Sequence, residues 1–417
     1  MRTPLLVGVD VHQQQNVISF LDLYGQAPRG VLRVANNRPG SEAFVEALTQ
    51  VMASGGFDGI RVAAEATGWY WFHFFQLLSE QPALAAWPVE LYPFNPRLTA
   101  RYKESMGDLD KTDALDAMVA ADWLRTRRSL PAPFSWDARY LSLRFLTRYR
   151  YHVVHNLARE KAYCLAVLYL KASEYIQADK QPFSNLFGAA SRAVLQEFAS
   201  LDQVAALPFA DLVEFIDAKG KRRFPDPTDN ARKLCQVAQD SYRLPQALQA
   251  PIQLVLALSL QQITALEAQE KRLNTAIAER MAAIPQTLDT IPGFGPVFAA
   301  GIIAEIGDLA RFDADEAKIA KYAGFHWRRH QSAAFEAEDT YLSRAGNPYL
   351  RYYFCEAANA VRMHDLAYAA FYDKKYHEVR KHAHKRAIVL TARKLVRLVV
   401  RLLTSRQPYQ PRRSATA

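Results

Sequence analysis

Cysteine is scarce in this 417-residue chain: Cys164, Cys235 and Cys355 stand far apart and form no C-x-x-C pair. That pattern excludes a disulfide framework and a cysteine-built zinc site. Long apolar runs are missing too. "LLVGV" is too short for the apolar core of a secretory leader and runs straight into Asp10. "KLVRLVVRLL" is broken by Arg397 and Arg401 and cannot span a bilayer. No internal repeat and no low-complexity tract occurs. A soluble, cytoplasmic protein without a membrane partner is the expectation.

What the chain has is apolar content and positive charge. Half of its residues are hydrophobic, enough for a sizeable core, and the length allows two or three domains. The formal charge is +10, and it is unevenly spread. Between Phe371 and Arg406 there are 11 Lys/Arg against 2 Asp/Glu, interleaved with aromatics and histidine. A solvated helix face would look similar, but the interleaving favours contact with a polyanion. Lys374, Lys375, Arg380, Lys381, Lys385, Arg386, Arg393 and Lys394 are the candidate phosphate contacts.

Three regions are expected. In residues 1–135, strand and helix signals alternate. "LLVGVDV" and "NVISFLDLYGQ" suggest a hairpin, "SEAFVEALTQVMAS" a Ser-capped helix and "GIRVAAEATG" a buried strand, and "KTDALDAMVAADWLR" lies on a polar helix. The mixture predicts a mixed α/β sheet domain. Residues 136–285 are helical in pattern, with Ile263, Leu266, Leu273, Ile277 and Ile284 in 3–4 spacing, as in a coiled-coil or helical-hairpin arm suited to dimerisation. Residues 286–417 open with "TLDTIPGFGPVFAAGIIAEIGD", where two helices flanking a Gly-Phe-Gly turn would make a helix-hairpin-helix. Gly293 and Gly295 would let backbone N–H groups approach a phosphate. Asp313 is the expected cap of the next helix and Pro348 starts another, while the tail "PYQPRRSATA" is expected to fray.

The carboxylates raise the sharper question. Asp10 interrupts an apolar strand, Glu65 ends a second one, and Asp113 and Asp116 share a helix face. A lone strand carboxylate is usually a satisfied polar residue. Several acids ending buried strands are costly without a partner. Four hard oxygen donors in one pocket suit Mg2+, or Mn2+ in its place, and a basic protein with an acidic pocket is what metal-assisted phosphoryl transfer requires. Asp108 and Asp110 rival the helical pair.

"VGVDVH", "EATGWY", "KTDALDA", "IPGFGP", the "QS" of "RHQSAA" and "RAGNPYLR" stand in the order found in the DEDD-type transposases of the IS one-ten insertion-sequence family, which the chain resembles over roughly 1–130 and 285–405. The resemblance implies a RuvC-like, RNase H-type fold for the first region, with Asp10, Glu65, Asp113 and Asp116 as an acidic tetrad holding Mg2+. It implies a mainly α transposase domain at the C-terminal end, with Ser332 as the nucleophile that forms a phosphoserine link to DNA. Arg328, Arg329 and His330 would hold phosphate beside it. It further implies double-stranded donor and target DNA, a structured bridge RNA from the element's own non-coding end as guide, and a homodimer or homotetramer acting at the bacterial nucleoid. Two positions depart from the family pattern: Ala333 follows the serine where Gly is common, and Gln13 replaces a common Lys. Ser343 is the nearby substitute for Ser332, with a turn role expected of it.

Two other functions fit parts of the pattern. A RuvC-like nuclease or junction resolvase would use a metal-activated water and form no covalent link. A non-catalytic DNA-binding protein would use only the hairpin and the basic helix, without a metal.

Overall fold

The computed structural model describes residues 3–107, 112–134, 137–327, 331–332, 335–336, 342–343 and 345–411. The chain divides into two compact units, Met1–Leu141 with Asp308–Ala314, and Ser142–Gly307 with Asp315–Ala417.

The first unit is built on a five-stranded sheet of order β3-β2-β1-β4-β5. Its strands are β1 (Pro4–Val11), β2 (Gln15–Leu21), β3 (Leu32–Ala35), β4 (Gly59–Glu65) and β5 (Val89–Phe94). β1 and β2 form the expected antiparallel hairpin, whereas β1, β4 and β5 run parallel. The helices are α1 (Arg38–Gly55), α2 (Phe72–Glu80), α3 (Pro96–Ser105) and α4 (Asp113–Thr126). Asn37 caps α1 by accepting from the Gly40 N–H, so the helix begins before the serine expected to start it. A proline at the start of the helix suits that earlier beginning.

Strand alternation sorts the side chains between two layers. Leu5, Val7, Val9 and Val11 pack with Phe44 and Leu48 of α1 and Phe74, Phe75 and Leu78 of α2. Leu6 and Ala63 join Ala120, Ala121 and Leu124 of α4 on the opposite face. Period two puts Gly8 and Asp10 on that α4 face as well. The helix crosses β1 at Gly8, where a Cβ would stand 1.9 Å from the Ala117 carbonyl oxygen and 2.4 Å from the Ala121 nitrogen. Ser19, the β2 partner of Gly8, donates from Oγ to the Ala114 carbonyl at 3.4 Å.

The second unit is helical. It comprises α5 (Ala138–Lys171) from Ser142 onward, α6 (Ala189–Glu197), α7 (Leu201–Ala206), α8 (Phe209–Lys219), α9 (Pro227–Asp240), α10 (Gln246–Met281), α11 (Pro296–Ile306), α12 (Glu316–Tyr322), the strand pair β6 (Gln331–Ser332) and β7 (Phe335–Glu336), α13 (Pro348–His364), α14 (Leu366–His377) and α15 (Ala383–Ser405). Ile263 and Leu266 of α10 are buried in one core with Val153, Leu157 and Leu168 of α5 and Leu212 and Ile216 of α8. Ile263 and Leu266 of the spaced apolar residues are therefore covered within the chain, Leu273 is half-buried against the same core, and Ile284 lies beyond the end of α10. Ahead of α11 stands only a three-residue 3-10 turn, Leu288–Thr290, where the hairpin pattern calls for a full helix. Asp315, not Asp313, caps α12 through the Ala317 N–H. Tyr409 is tied down rather than frayed: its N–H donates to Thr290 Oγ1 at 2.8 Å and its hydroxyl to Asp365 at 2.7 Å. Among the described residues no helix is long and apolar enough to cross a membrane.

Gly8→Ala is expected to destabilise the first unit by about 1–3 kcal/mol, because the new methyl meets helix backbone that cannot rotate away. Denaturant unfolding followed by tryptophan fluorescence, to which the buried Trp71 and Trp123 of this unit contribute, reads this. A loss below about 0.5 kcal/mol would mean that α4 does not lie this close to β1.

Candidate active site

Two strand ends and one helix start make the acidic site. Asp10 is the last residue but one of β1 and Glu65 the last of β4. Val9 pairs with Ala64, so the register continues with Asp10 beside Glu65 at the carboxyl ends of neighbouring parallel strands. Thr112 caps α4 through the Leu115 N–H, which places Asp113 and Asp116 in its first turn, where the helix dipole favours negative charge.

Asp10 is the least exposed of the three aspartates, with 17% of its side chain exposed against 44% for Asp113 and 35% for Asp116. Burial pushes the Asp10 carboxyl above the usual aspartate range, His12 opposes that rise, and the charges of Asp116 and Asp113 add to it. The Nε2 atom of His12 lies 3.0 Å from Asp10 Oδ2 and 3.7 Å from Asp113 Oδ1. Arg33 Nη1 is 3.8 Å from Asp113 Oδ2, and Lys103 Nζ is 2.6 Å from Asp116 Oδ1. Glu65 accepts from Thr67 Oγ1 at 2.9 Å and from Thr99 Oγ1 at 3.1 Å. An open, polar concavity of about 790 Å3, lined by His12, Gln13, Gln14, Gln15 and Arg33, adjoins the cluster.

Ligand atoms of Asp10, His12 and Asp113 all lie within 4.8 Å of one another, close enough to share one ion. Asp116 is near enough to act on Asp10 but is held by Lys103, and Glu65 is held by its two threonines. The donor set is hard oxygen with one imidazole nitrogen, and a divalent cation would relieve the repulsion among the three aspartates. The residues present therefore fit a divalent metal. Asp108 and Asp110, the rival carboxylates, lie outside the described residues.

The second unit holds the other sequence candidates. Ser332 ends β6, its backbone paired antiparallel with Phe335 of β7, and its side chain is outside what is described. Arg328, Arg329 and His330 also lie outside the described residues. Ser343 is buried and accepts from the Ala345 N–H through its hydroxyl, a turn contact. Gly293, at φ +80°, packs on α13: a Cβ there would stand 2.7 Å from the His364 ring and 2.9 Å from the Ala360 carbonyl. Gly295 faces open space and begins α11, which no side chain caps. Lys374, Arg380, Lys381, Lys385 and Arg386 are exposed or half-exposed around the turn from α14 to α15. Glu378 ties Lys375 at 2.6 Å and Arg386 at 2.9 Å. Lys394 is half-buried over the rings of Tyr368 and Phe371, and Arg393 is half-buried on the same helix.

Sequence reasoning missed His12, Arg33 and Lys103 around the carboxylates, and a buried network in the second unit. Glu305, fully buried on α11, takes a two-point contact from Arg148 at 2.6 and 2.9 Å and a third bond from Asn347 at 2.6 Å. Asn347 also caps α13 through the N–H groups of Tyr349 and Leu350. A single acid in the apolar helix "PVFAAGIIAEI" was the available signal.

The partly buried Asp10 carboxylate has a stability consequence. Its folded-state pKa lies above the unfolded value, so the folded form binds more protons between the two, and stability falls as pH rises through that window. Asp10→Asn is accordingly expected to unfold at the same or a higher temperature than wild type in EDTA at pH 7, with a gain of up to about 2 kcal/mol. Added Mg2+ or Mn2+ should raise the wild-type midpoint and leave the variant unmoved. Equal shifts in both proteins would place the ion elsewhere.

Comparison with known proteins matches two stretches of the chain to one family. Residues 7–171 match the model of DEDD transposases of the IS110 type, and residues 285–373 match that of the transposase IS116/IS110/IS902 family. The chain is 27% identical over 250 residues to a Streptomyces coelicolor protein described as the mini-circle putative transposase for IS117, covering 58% of this chain and 59% of that protein. It is 24% identical over 319 residues to the uncharacterized 44.8 kDa protein of insertion element IS116 from Streptomyces clavuligerus, covering 76% and 75%. It is 24% identical over 310 residues to the uncharacterized 42 kDa protein of insertion element IS900 from Mycobacterium paratuberculosis, covering 74% and 75%. The chain thus spans less than two thirds of the first of these relatives and three quarters of the other two. Both ends of the chain, including the one that carries the acidic cluster, place it in the IS110 family of insertion-sequence transposases.

Proposed function

We propose that this transposase cuts and rejoins double-stranded DNA through a phosphoserine intermediate, with Asp10, Glu65, Asp113 and Asp116 of a RuvC-like domain holding Mg2+ or Mn2+ and Ser332 as nucleophile. The observation that carries the metal half is the convergence of Asp10 and Asp113, with Asp116 close by, where β1 ends against the start of α4. The DEDD family to which the chain belongs implies the use of a divalent metal. A bound divalent cation supplies Lewis-acid stabilisation of charge on the phosphate and leaving oxygens.

The chain's own residues do the rest. Asp10, at the strand end, is rigidly placed and partly desolvated, so its charge is weakly screened. Ser332 Oγ bonds to phosphorus as the bond from phosphorus to one sugar oxygen breaks. The serine proton passes to solvent, and the freed sugar oxygen takes one up. Because a phosphodiester is exchanged for a phosphodiester, the same step in reverse reseals the strand without ATP. The exposed cations at the α14–α15 turn and the open α11 start at Gly295 would hold backbone phosphates. Resemblance alone supports the further elements of this reading, a guide RNA from the element's own end and a dimeric or tetrameric assembly.

Labelled DNA carrying the element junction, incubated with Mg2+ and candidate element-end RNA and run on a denaturing gel, tests the chemistry. Wild type should yield a slow, protease-sensitive band that falls by about 10^3-fold or more in both Asp10→Asn and Ser332→Ala. Cleavage that survives in Ser332→Ala and vanishes in Asp10→Asn would make the protein a metal-water nuclease instead. The phosphate contacts are tested by salt titration of DNA binding. Replacing both Lys381 and Lys385 with Ala should flatten the slope of log K against log salt by about 0.9 for each phosphate that is no longer neutralised. Lys375→Ala, which removes a side chain already tied to Glu378, should change it less; equal slopes for all three proteins would remove this turn from the DNA-binding surface.

A further inference from the structure

His12 sits among the carboxylates, its Nε2 near both Asp10 and Asp113. We propose that His12 Nε2 is a direct ligand of the ion, making the site a mixed nitrogen–oxygen one that takes Mn2+ in preference to Mg2+. This rests on the reading of Asp10 and Asp113 as metal ligands.

Three observations carry it. First, the reach is right. Ligands about 2.1 Å from an octahedral ion stand about 3.0 Å apart when adjacent and about 4.2 Å apart when opposite. His12 Nε2 is 3.0 Å from Asp10 Oδ2, the adjacent spacing, and 3.7 Å from Asp113 Oδ1, between the two spacings. Second, the residue is anchored on both sides of its Cα. Its N–H donates to the Gln15 carbonyl at 2.9 Å. Its own carbonyl accepts from Asn36 Nδ2 at 2.8 Å, and Asn36 in turn reaches the Tyr70 carbonyl at 3.1 Å. The pivot of the ring is therefore set by β1, β2 and the end of β3 before any ion arrives, which spares ordering entropy on binding. Third, the other basic groups near the cluster cannot replace it. Arg33 and Lys103 carry only donors and cannot ligate an ion, whereas an imidazole offers a lone pair. On coordination the Nε2 lone pair goes to the ion and the ring proton stays on Nδ1.

Nitrogen is a softer donor than carboxylate oxygen, so adding it favours Mn2+ over Mg2+, which prefers oxygen and water. The side chain of His12 is 45% exposed, so His12→Gln removes the nitrogen donor without opening a cavity and keeps an amide oxygen of similar reach.

The purified full chain, its His12→Gln variant and its Asp10→Asn variant are titrated with MnCl2 alone and followed by electron paramagnetic resonance, with pulsed measurement of 14N coupling to the bound ion. Wild type should show an Asp10-dependent Mn2+ with a directly bound nitrogen. In His12→Gln the ion should still bind but without the nitrogen coupling, at least about tenfold more weakly, with Mg2+ affinity (from competition) changed less. An Asp10-dependent Mn2+ with no nitrogen coupling in wild type, or coupling that persists in His12→Gln, overturns the proposal while leaving the carboxylate site standing. If wild type binds no Mn2+, or binds it equally well in Asp10→Asn, the carboxylate reading falls and the His12 assignment falls with it.

Discussion

The contact between β1 and α4 at Gly8 governs the acidic site. A helix can lie with its backbone against a strand only where the strand offers no side chain, and the position of Gly8 allows that approach. Because the crossing point is fixed there, the first turn of α4 falls two residues further along β1, at Asp10. Ser19 on the neighbouring strand reinforces the same crossing. Chain segments about a hundred residues apart in sequence thus deliver their carboxylates to one place.

Bringing them together is unfavourable in itself. Burial and two like charges push Asp10 toward its neutral form, and the first unit answers with His12 against Asp10 and Asp113, Arg33 beside Asp113 and Lys103 on Asp116. A site of this kind stores repulsion that a divalent cation would relieve, the ordinary trade between stability and function. The opposite solution appears in the second unit. Glu305 is fully buried, yet Arg148 and Asn347 satisfy it from two directions, so its charge joins α5, α11 and α13 and leaves little capacity for a ligand. Both units bury carboxylates. The first holds its acids close to one another, the second surrounds its acid with donors.

The motifs that mark the family divide in the same way. "VGVDVH" and "KTDALDA" bring donors to the acidic cluster, and the first of them also contributes the glycine that lets the helix approach. "RAGNPYLR" contributes Asn347, which caps α13 and binds Glu305, so this part of the motif builds the core. In "IPGFGP" the first glycine packs on α13 and the second stays open. A short motif can therefore serve packing, chemistry or both, and its residue types alone do not separate these.

Much of the first unit was legible in the sequence because its signals are local. Alternation in "LLVGVDV" and in "GIRVAAE" specifies strands, and period two puts Asp10 and Glu65 on the same face as Leu6 and Ala63 once the strands are parallel neighbours. The helical character of the second unit, the candidate carboxylates and the basic stretch toward the C-terminus follow equally from spacing and composition. What only the tertiary structure decided depends on distance between remote segments. Periodicity marks the apolar face of α10 but not its partners, and Ile263 and Leu266 on that face are buried in one core with residues of α5, α6 and α8 of the same chain. It equally could not show that Tyr409 docks on Thr290 and Asp365, that Glu305 is paired, or that His12 stands between two aspartates. Pattern along a chain determines which faces are apolar and which residues alternate. Which groups meet across space is decided by packing, and both the charge balance and the chemistry of the site depend on those meetings.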